Sequence, residues 1–168
     1  MKTISFQTLL FFTLLVLLTG VPISGTGPLA EAAWTSSKVQ KKSAPDHDKR
    51  LAADIFFKKG NLFLDNHQFA EAVEQFEKAV QIDDAYAEAH SNLGYSYRKL
   101  GRYDKAVSHY KKAIELEPDL AQAHEYLGEA YAEMGEFTRA ETHLKILRDL
   151  GSDETEELEQ FIRVQKTK

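Results

Sequence analysis

Ala87-Glu88-Ala89-His90-Ser91-Asn92-Leu93-Gly94-Tyr95-Ser96-Tyr97, continued through Ile114-Glu115-Leu116-Glu117-Pro118, is the clearest of three copies of one pattern. Gly60, Gly94 and Gly128 lie 34 residues apart, and Ala72, Ala106 and Ala140 keep the same interval. Phe63, Tyr97 and Tyr131 repeat in that register, as do Phe69, Tyr103 and Phe137. A fixed interval of this length marks stacked units, none of which can bury its apolar face alone. Function in such a chain is expected along a groove and not in a catalytic pocket.

Each unit reads as helix, short turn, helix. The pattern predicts helices at about 47–65, 69–82, 86–99, 103–116, 120–133 and 137–150, grouped in repeats of about 53–86, 87–120 and 121–154. Gly101 and Gly135 fall just past a helix, where a left-handed backbone costs glycine nothing; His67 takes that place in the first unit. Pro118 ends one helix and opens the next, and Asp84 stands at the equivalent place after the first unit. The glycine at 60, 94 and 128 is different, because it lies inside a helix, where it costs about 1 kcal/mol against alanine. Such a cost fits a close helix–helix contact, with the alanine at 72, 106 and 140 expected as the small counterpart. Gly151-Ser152-Asp153 interrupts the pattern, and a last helix at about 153–166 aligns Leu158, Phe161 and Ile162 on one side, as a cap for the stack. Lys59 stands where the other units have Leu93 and Leu127, which predicts a more exposed first unit. Leu147 stands where they have Ala79 and Ala113, which predicts a wider gap toward the cap.

These residues resemble the tetratricopeptide repeat (TPR) pattern at nearly every signature position, over about 100 residues. The resemblance implies an all-α fold, a right-handed α-α superhelix of three helix-turn-helix repeats with a C-terminal capping helix. It also implies a non-catalytic module that binds a protein or peptide along its concave face. The family's groove positions fall on Asp54, Phe57, Asn61, Leu64 and Asp65, then Glu88, Ser91, Asn92, Tyr95, Arg98 and Lys99, then Gln122, Glu125, Glu129, Ala132 and Glu133. Glu125, Glu129 and Glu133 form an acidic stripe on one helix face. The set reads either as a solvated face with ion pairs between repeats, or as a groove with an apolar end (Phe57, Leu64, Tyr95) and an acidic end. The second suits a segment with aliphatic and basic residues. TPR co-chaperones that grip a C-terminal carboxylate use two lysines, two asparagines and an arginine. Phe57, Asn61, Asn92, Gln122 and Tyr126 occupy those positions, so the three cations needed for charge-assisted bonding are missing.

Six histidines raise the question of a metal. His90 and His124 are equivalent, as are His109 and His143; equivalent residues one repeat apart are expected to be too distant to share an ion, so no metal or other cofactor is expected. No nucleophile elbow, phosphate-binding glycine loop or H-E-x-x-H is present, so no enzymatic activity is expected. The net charge of −5 and the lack of a basic stripe argue against nucleic acid. With no cysteine, disulfides and thiolate sites are excluded.

The N-terminus follows other rules. After Lys2 no charge occurs until Glu31, and Leu9 to Leu18 is apolar apart from Thr13. With Ala30-Glu31-Ala32 as a small-x-small cleavage site, residues 1–32 read as a secretory signal peptide. The alternative is an uncleaved anchor, since residues 4–23 would just span a bilayer core as a helix. The protein is therefore expected to be exported, periplasmic or secreted, touching a membrane only through that segment if it is retained. Residues 33–46, with Trp34, Ser36, Ser37 and Pro45, read as a flexible linker, with Asp46 or Asp48 capping the first helix of a domain spanning 47–168. Two other roles compete with the adaptor reading. One is a self-assembling scaffold, possible as a homo-oligomer joining the Phe57/Lys59 end to the 158–162 cap face; the other is an accessory subunit of an envelope enzyme or secretion complex.

Overall fold

A computed structural model of the protein describes residues 28–168, with side chains described from Asp46 onward. Its helices are α1 (Pro28–Asp65), α2 (Phe69–Ile82), α3 (Ala87–Lys99), α4 (Tyr103–Leu116), α5 (Ala121–Glu133), α6 (Phe137–Leu150) and α7 (Glu154–Gln165), and no strand occurs among the described residues. The fold is all-α: three helical hairpins stacked as a repeat superhelix, sealed by α7. The chain divides after Lys41, and the hairpins belong to the unit Lys42–Lys168. The apolar N-terminal run and the 4–23 span read as an anchor lie outside the described residues, as does the 1–32 segment read as a signal peptide up to residue 27. Among the described residues, no helix is long and apolar enough to cross a membrane.

From α2 onward every helix begins and ends within a residue or two of its expected place. The exception is α1, which starts at Pro28 and not near 47. The stretch expected as a linker, 33–46, is helical, so Asp46 and Asp48 lie within a helix and do not cap one. A proline at the first helical position is pre-set for the helical φ, and the alanine-rich residues behind it are strong helix formers.

The turns close as the residues suggest. His67, Gly101 and Gly135 have φ of 57°, 72° and 77°. In each case the amide of the following residue bonds back past the turn: Gln68 to the Phe63 carbonyl, Arg102 to Tyr97 and Glu136 to Tyr131, at 2.9, 2.9 and 2.8 Å. His67 adopts the left-handed region without glycine's freedom, the strained version of the same turn.

The contact at the helical glycines differs from expectation. A Cβ on Gly60 would sit 2.5 Å from the Phe76 ring, and one on Gly94 would sit 2.7 Å from the Tyr110 ring. The counterpart is thus a large ring and not the alanine, although the Ala106 carbonyl oxygen is 3.1 Å from the Gly94 position. Phe76 and Tyr110 are fully buried at the centre of each hairpin. In the third unit Leu144 replaces the ring, and Leu158 of α7 reaches the Gly128 position at 2.6 Å. The cap therefore supplies from outside what the third hairpin lacks.

Leu158 and Ile162 are buried against α5 and α6, together with Leu147. The cap face that would serve head-to-tail assembly is therefore occupied within the chain. At the other end Lys59 is exposed while Leu93 and Leu127 are buried, as their difference in polarity predicts.

Gly94→Ala tests the contact. Alanine gains about 1 kcal/mol of helix propensity. It also forces its methyl into the Tyr110 ring and toward a backbone carbonyl that cannot yield, a clash costing roughly 1–3 kcal/mol or more. Net destabilisation is expected in chemical denaturation.

Candidate functional site: the groove face and the inter-repeat seam

The first helices of the units, α1, α3 and α5, carry the residues expected to line a groove, and the structure separates them into two groups. Asn61, Asn92, Tyr95, Lys99, Glu129 and Glu133 keep access to solvent. Ser91, Arg98 and Glu125, at 0%, 4% and 8% exposed, are buried in the seam between units and cannot serve as open contacts. Ala132 is buried as well.

The seam is polar and specific. Arg98 reaches from α3 to α5, placing Nη2 2.5 Å from Glu129 Oε2 and Nη1 2.8 Å from Glu133 Oε1. The acidic stripe is therefore partly neutralised by one guanidinium that bridges two units. This is the ion-pairing alternative of the sequence reading, realised at these three residues. Between the first two units, Asn92 Nδ2 donates to Asn61 Oδ1 at 2.9 Å.

Phe57 and Leu64 are half-buried against the core. The Phe57 ring packs between Phe76 and Tyr86, with centroids 5.8 and 4.8 Å away, so it is largely committed to packing. Arg50 lies over the other ring of that pair, its Cζ 3.8 Å from the Tyr86 centroid, and the Tyr86 hydroxyl donates to Asp54 at 2.7 Å.

Tyr95 is the aromatic that remains presented. Its ring lies 6.3 Å from Phe69 and 4.9 Å from Tyr126, and Lys99 Nζ and Arg98 Cζ stand 5.1 and 5.3 Å from its centroid. Tyr126, half-buried, extends the cluster toward Tyr110 and accepts a bond from Gln122 at 3.3 Å. Phe69 is not among the expected groove residues, and Tyr126 enters the sequence analysis only as a carboxylate-clamp position. Tyr126 follows the groove position Gln122 by one turn of α5, whereas Phe69, the first residue of α2, lies beyond the turn and carried no such signal.

At the cap, Glu125 faces Glu129 of its own helix and Glu154 and Glu157 of α7. Burial, followed by these carboxylates, pushes the Glu125 carboxyl up to about 8. Glu129 is also raised by burial, an effect that Arg98 opposes.

The four repeat-equivalent histidines are paired across each hairpin and not between repeats, a pairing the sequence reading did not include. His90 of α3 meets His109 of α4 with Nδ1 atoms 3.1 Å apart, and His124 of α5 meets His143 of α6 at 3.0 Å. His90 Nε2 is 3.2 Å from the Asp84 carbonyl and His124 Nε2 is 2.9 Å from that of Pro118. A carbonyl only accepts, so each inner ring carries its proton on Nε2 and accepts at Nδ1. The signal was present: the two members of each pair are 19 residues apart in both units. Burial, with the partner imidazole as the next cause, pushes His109 and His143 down to about 4. His90 is lowered by burial too. Among the described residues, no three of His, Asp and Glu converge as a metal cage.

With this geometry in place, the comparisons identify its class. The TPR repeat model matches residues 60–101 and 94–135. These residues are tetratricopeptide repeats in sequence as well as in fold. Among curated proteins no sequence matches this one. The TPR2B domain of yeast Sti1, solved as a complex with a pHsp70 component, is 19% identical with a TM-score of 0.65, covering 70% of this chain and 98% of that one. The first TPR of Spaghetti (RPAP3), bound to the HSP90 peptide SRMEEVD, is 20% identical with a TM-score of 0.63, covering 68% and 94%. The Arabidopsis OM64 TPR domain is 19% identical with a TM-score of 0.63, covering 68% and 97%. At these identities the likeness shows the fold.

The titrations above make opposite limbs of one stability profile. The unfolded chain takes up protons on histidine near pH 6.5, whereas folded His109 and His143 refuse them until about 4, so stability falls as the pH drops through that window. Folded Glu125 holds until about 8 a proton that the unfolded chain releases near 4.5, so its contribution is lost as the pH rises between those values. Thermal melting followed across pH 4–9 is expected to show both limbs, and Glu125→Gln is expected to flatten the alkaline one alone.

Proposed function

We propose that the protein is a non-catalytic adaptor that binds a partner segment along the face formed by α1, α3 and α5. Proteins of this architecture bind peptides, as the HSP90-peptide complex of a similar TPR domain illustrates. One observation carries the reading for this chain: Tyr95 is presented between Phe69, Tyr126 and Lys99 beside the Glu129/Glu133 pair. An aromatic platform next to carboxylates suits a segment with an aliphatic or aromatic anchor and a flanking Lys or Arg. An acidic C-terminal peptide is a poor fit. The clamp positions hold neutral side chains, Asn61 and Asn92 bond to each other, and the nearest buried cation, Arg98, is taken by two glutamates.

Peptides selected by the full chain from a random library should be enriched in an apolar residue beside Lys or Arg, and should shift amide resonances on α3 and α5. Tyr95→Ala should weaken their binding at least about tenfold, the usual loss for an aromatic anchor. Selection of acidic C-terminal sequences, or binding indifferent to Tyr95, would refute the site.

The same reading places the adaptor in an exported compartment, supported by the apolar run Leu9–Leu18 and the Ala30-Glu31-Ala32 site. N-terminal sequencing of protein recovered from its native cells should begin near Ala33; an intact Met1 in a soluble cytosolic fraction would oppose it.

A second reading, self-association, has its own observation. Leu51, Ile55 and Leu62 are 61%, 67% and 63% exposed along α1, in positions that share one helix face. If that face joins two copies, light scattering of the full chain should give a dimer mass that Ile55→Glu returns to the monomer value.

A further inference from the structure

The two imidazole pairs are built alike, and nothing in peptide binding requires them. In each, the inner ring's Nε2–H is tied to a main-chain carbonyl, of Asp84 for His90 and of Pro118 for His124. That bond directs a bare Nδ1 lone pair at the Nδ1 of the outer ring. A metal-bound imidazole is commonly oriented by the same device, its second nitrogen donating to a carbonyl. The separation also suits a shared ion. Two nitrogens about 2.0–2.1 Å from one cation lie roughly 2.9–3.4 Å apart for angles between square and tetrahedral. The observed Nδ1···Nδ1 distances of 3.1 and 3.0 Å fall inside that range.

We propose that each of the last two hairpins holds one divalent transition-metal ion, zinc or copper(II), between paired Nδ1 atoms: His90 with His109, and His124 with His143. Two imidazoles are borderline ligands suited to these ions, and water completes the coordination. On binding, the outer ring's proton moves from Nδ1 to Nε2, so both rings stay neutral and no proton is released in net. The outer rings are half-buried, which leaves a route from solvent. They are also held in place by stacking, His109 on Tyr97 at 5.7 Å and His143 on Tyr131 at 5.8 Å. The ion would cross-link the two helices of a hairpin and stiffen the wall behind the groove.

Calorimetric titration of the full chain with zinc chloride at pH 7.5 is the test. Two ions per chain are expected, one after His109→Gln or His143→Gln, and none after both. Glutamine can still donate to the inner Nδ1, so the hairpins should remain folded, and His47 and His67 stay as internal controls. Nitrogen NMR of the unaltered chain gives a readout independent of the variants: zinc should move the Nδ1 resonances of these four rings, leave the Nε2–H of His90 and His124 in place, and transfer the ring proton of His109 and His143 to Nε2. Absence of saturable binding, a stoichiometry that survives the double substitution, or coordination through Nε2 would each overturn the proposal.

Discussion

A helical glycine pressed against an aromatic ring sets the geometry of the repeat units. Gly94 and Tyr110 are in contact where any side chain on the glycine would overlap the ring. Large rings usually hold helices apart; here the missing Cβ lets the ring sit against the backbone, and the hairpin closes around it. The contact fixes both the distance and the axial register of the two helices. One helical turn away, that register brings His90 against His109. The third unit has Leu144 where the ring should be, and the cap restores the packing by inserting Leu158 beside Gly128. The capping helix is therefore part of the third unit's core and more than a polar cover.

Between units the forces are different in kind. The seams carry Arg98 with two glutamates, an asparagine pair and Glu125 among carboxylates of the cap. Polar seams of this sort specify which unit follows which, because an unpaired buried charge is costly in any other arrangement. They also consume much of what sequence position alone assigns to the groove. What keeps access to solvent on this face is a narrower set centred on Tyr95, with Lys99, Glu129 and Glu133.

Much of the architecture was legible in the residues. A 34-residue interval marked by Gly60, Gly94 and Gly128 implies identical units, and glycine or histidine at 67, 101 and 135 locates the turns. Both signals are local, so they survive without knowledge of the rest of the chain. The start of α1 is not legible in this way, because serines and Pro45 weigh against helix in local propensity, while Pro28 and the alanines after it favour an earlier start.

The site was less legible, and the reason is geometric. The TPR resemblance implies which helix positions face the groove, and so it marked Arg98 and Ser91; it cannot say that a neighbouring helix covers them. Pairing across a hairpin depends on how far two helices slide along each other, which is why His90 and His109 looked unrelated on the chain. The amino-acid order by itself determined the repeat, the turns and the presence of a cap, because these follow from short-range preference and spacing. Only the tertiary structure decided that a ring fills the glycine notch, that Arg98 is spent between units and that the imidazoles meet, because each depends on side chains brought together from separate helices.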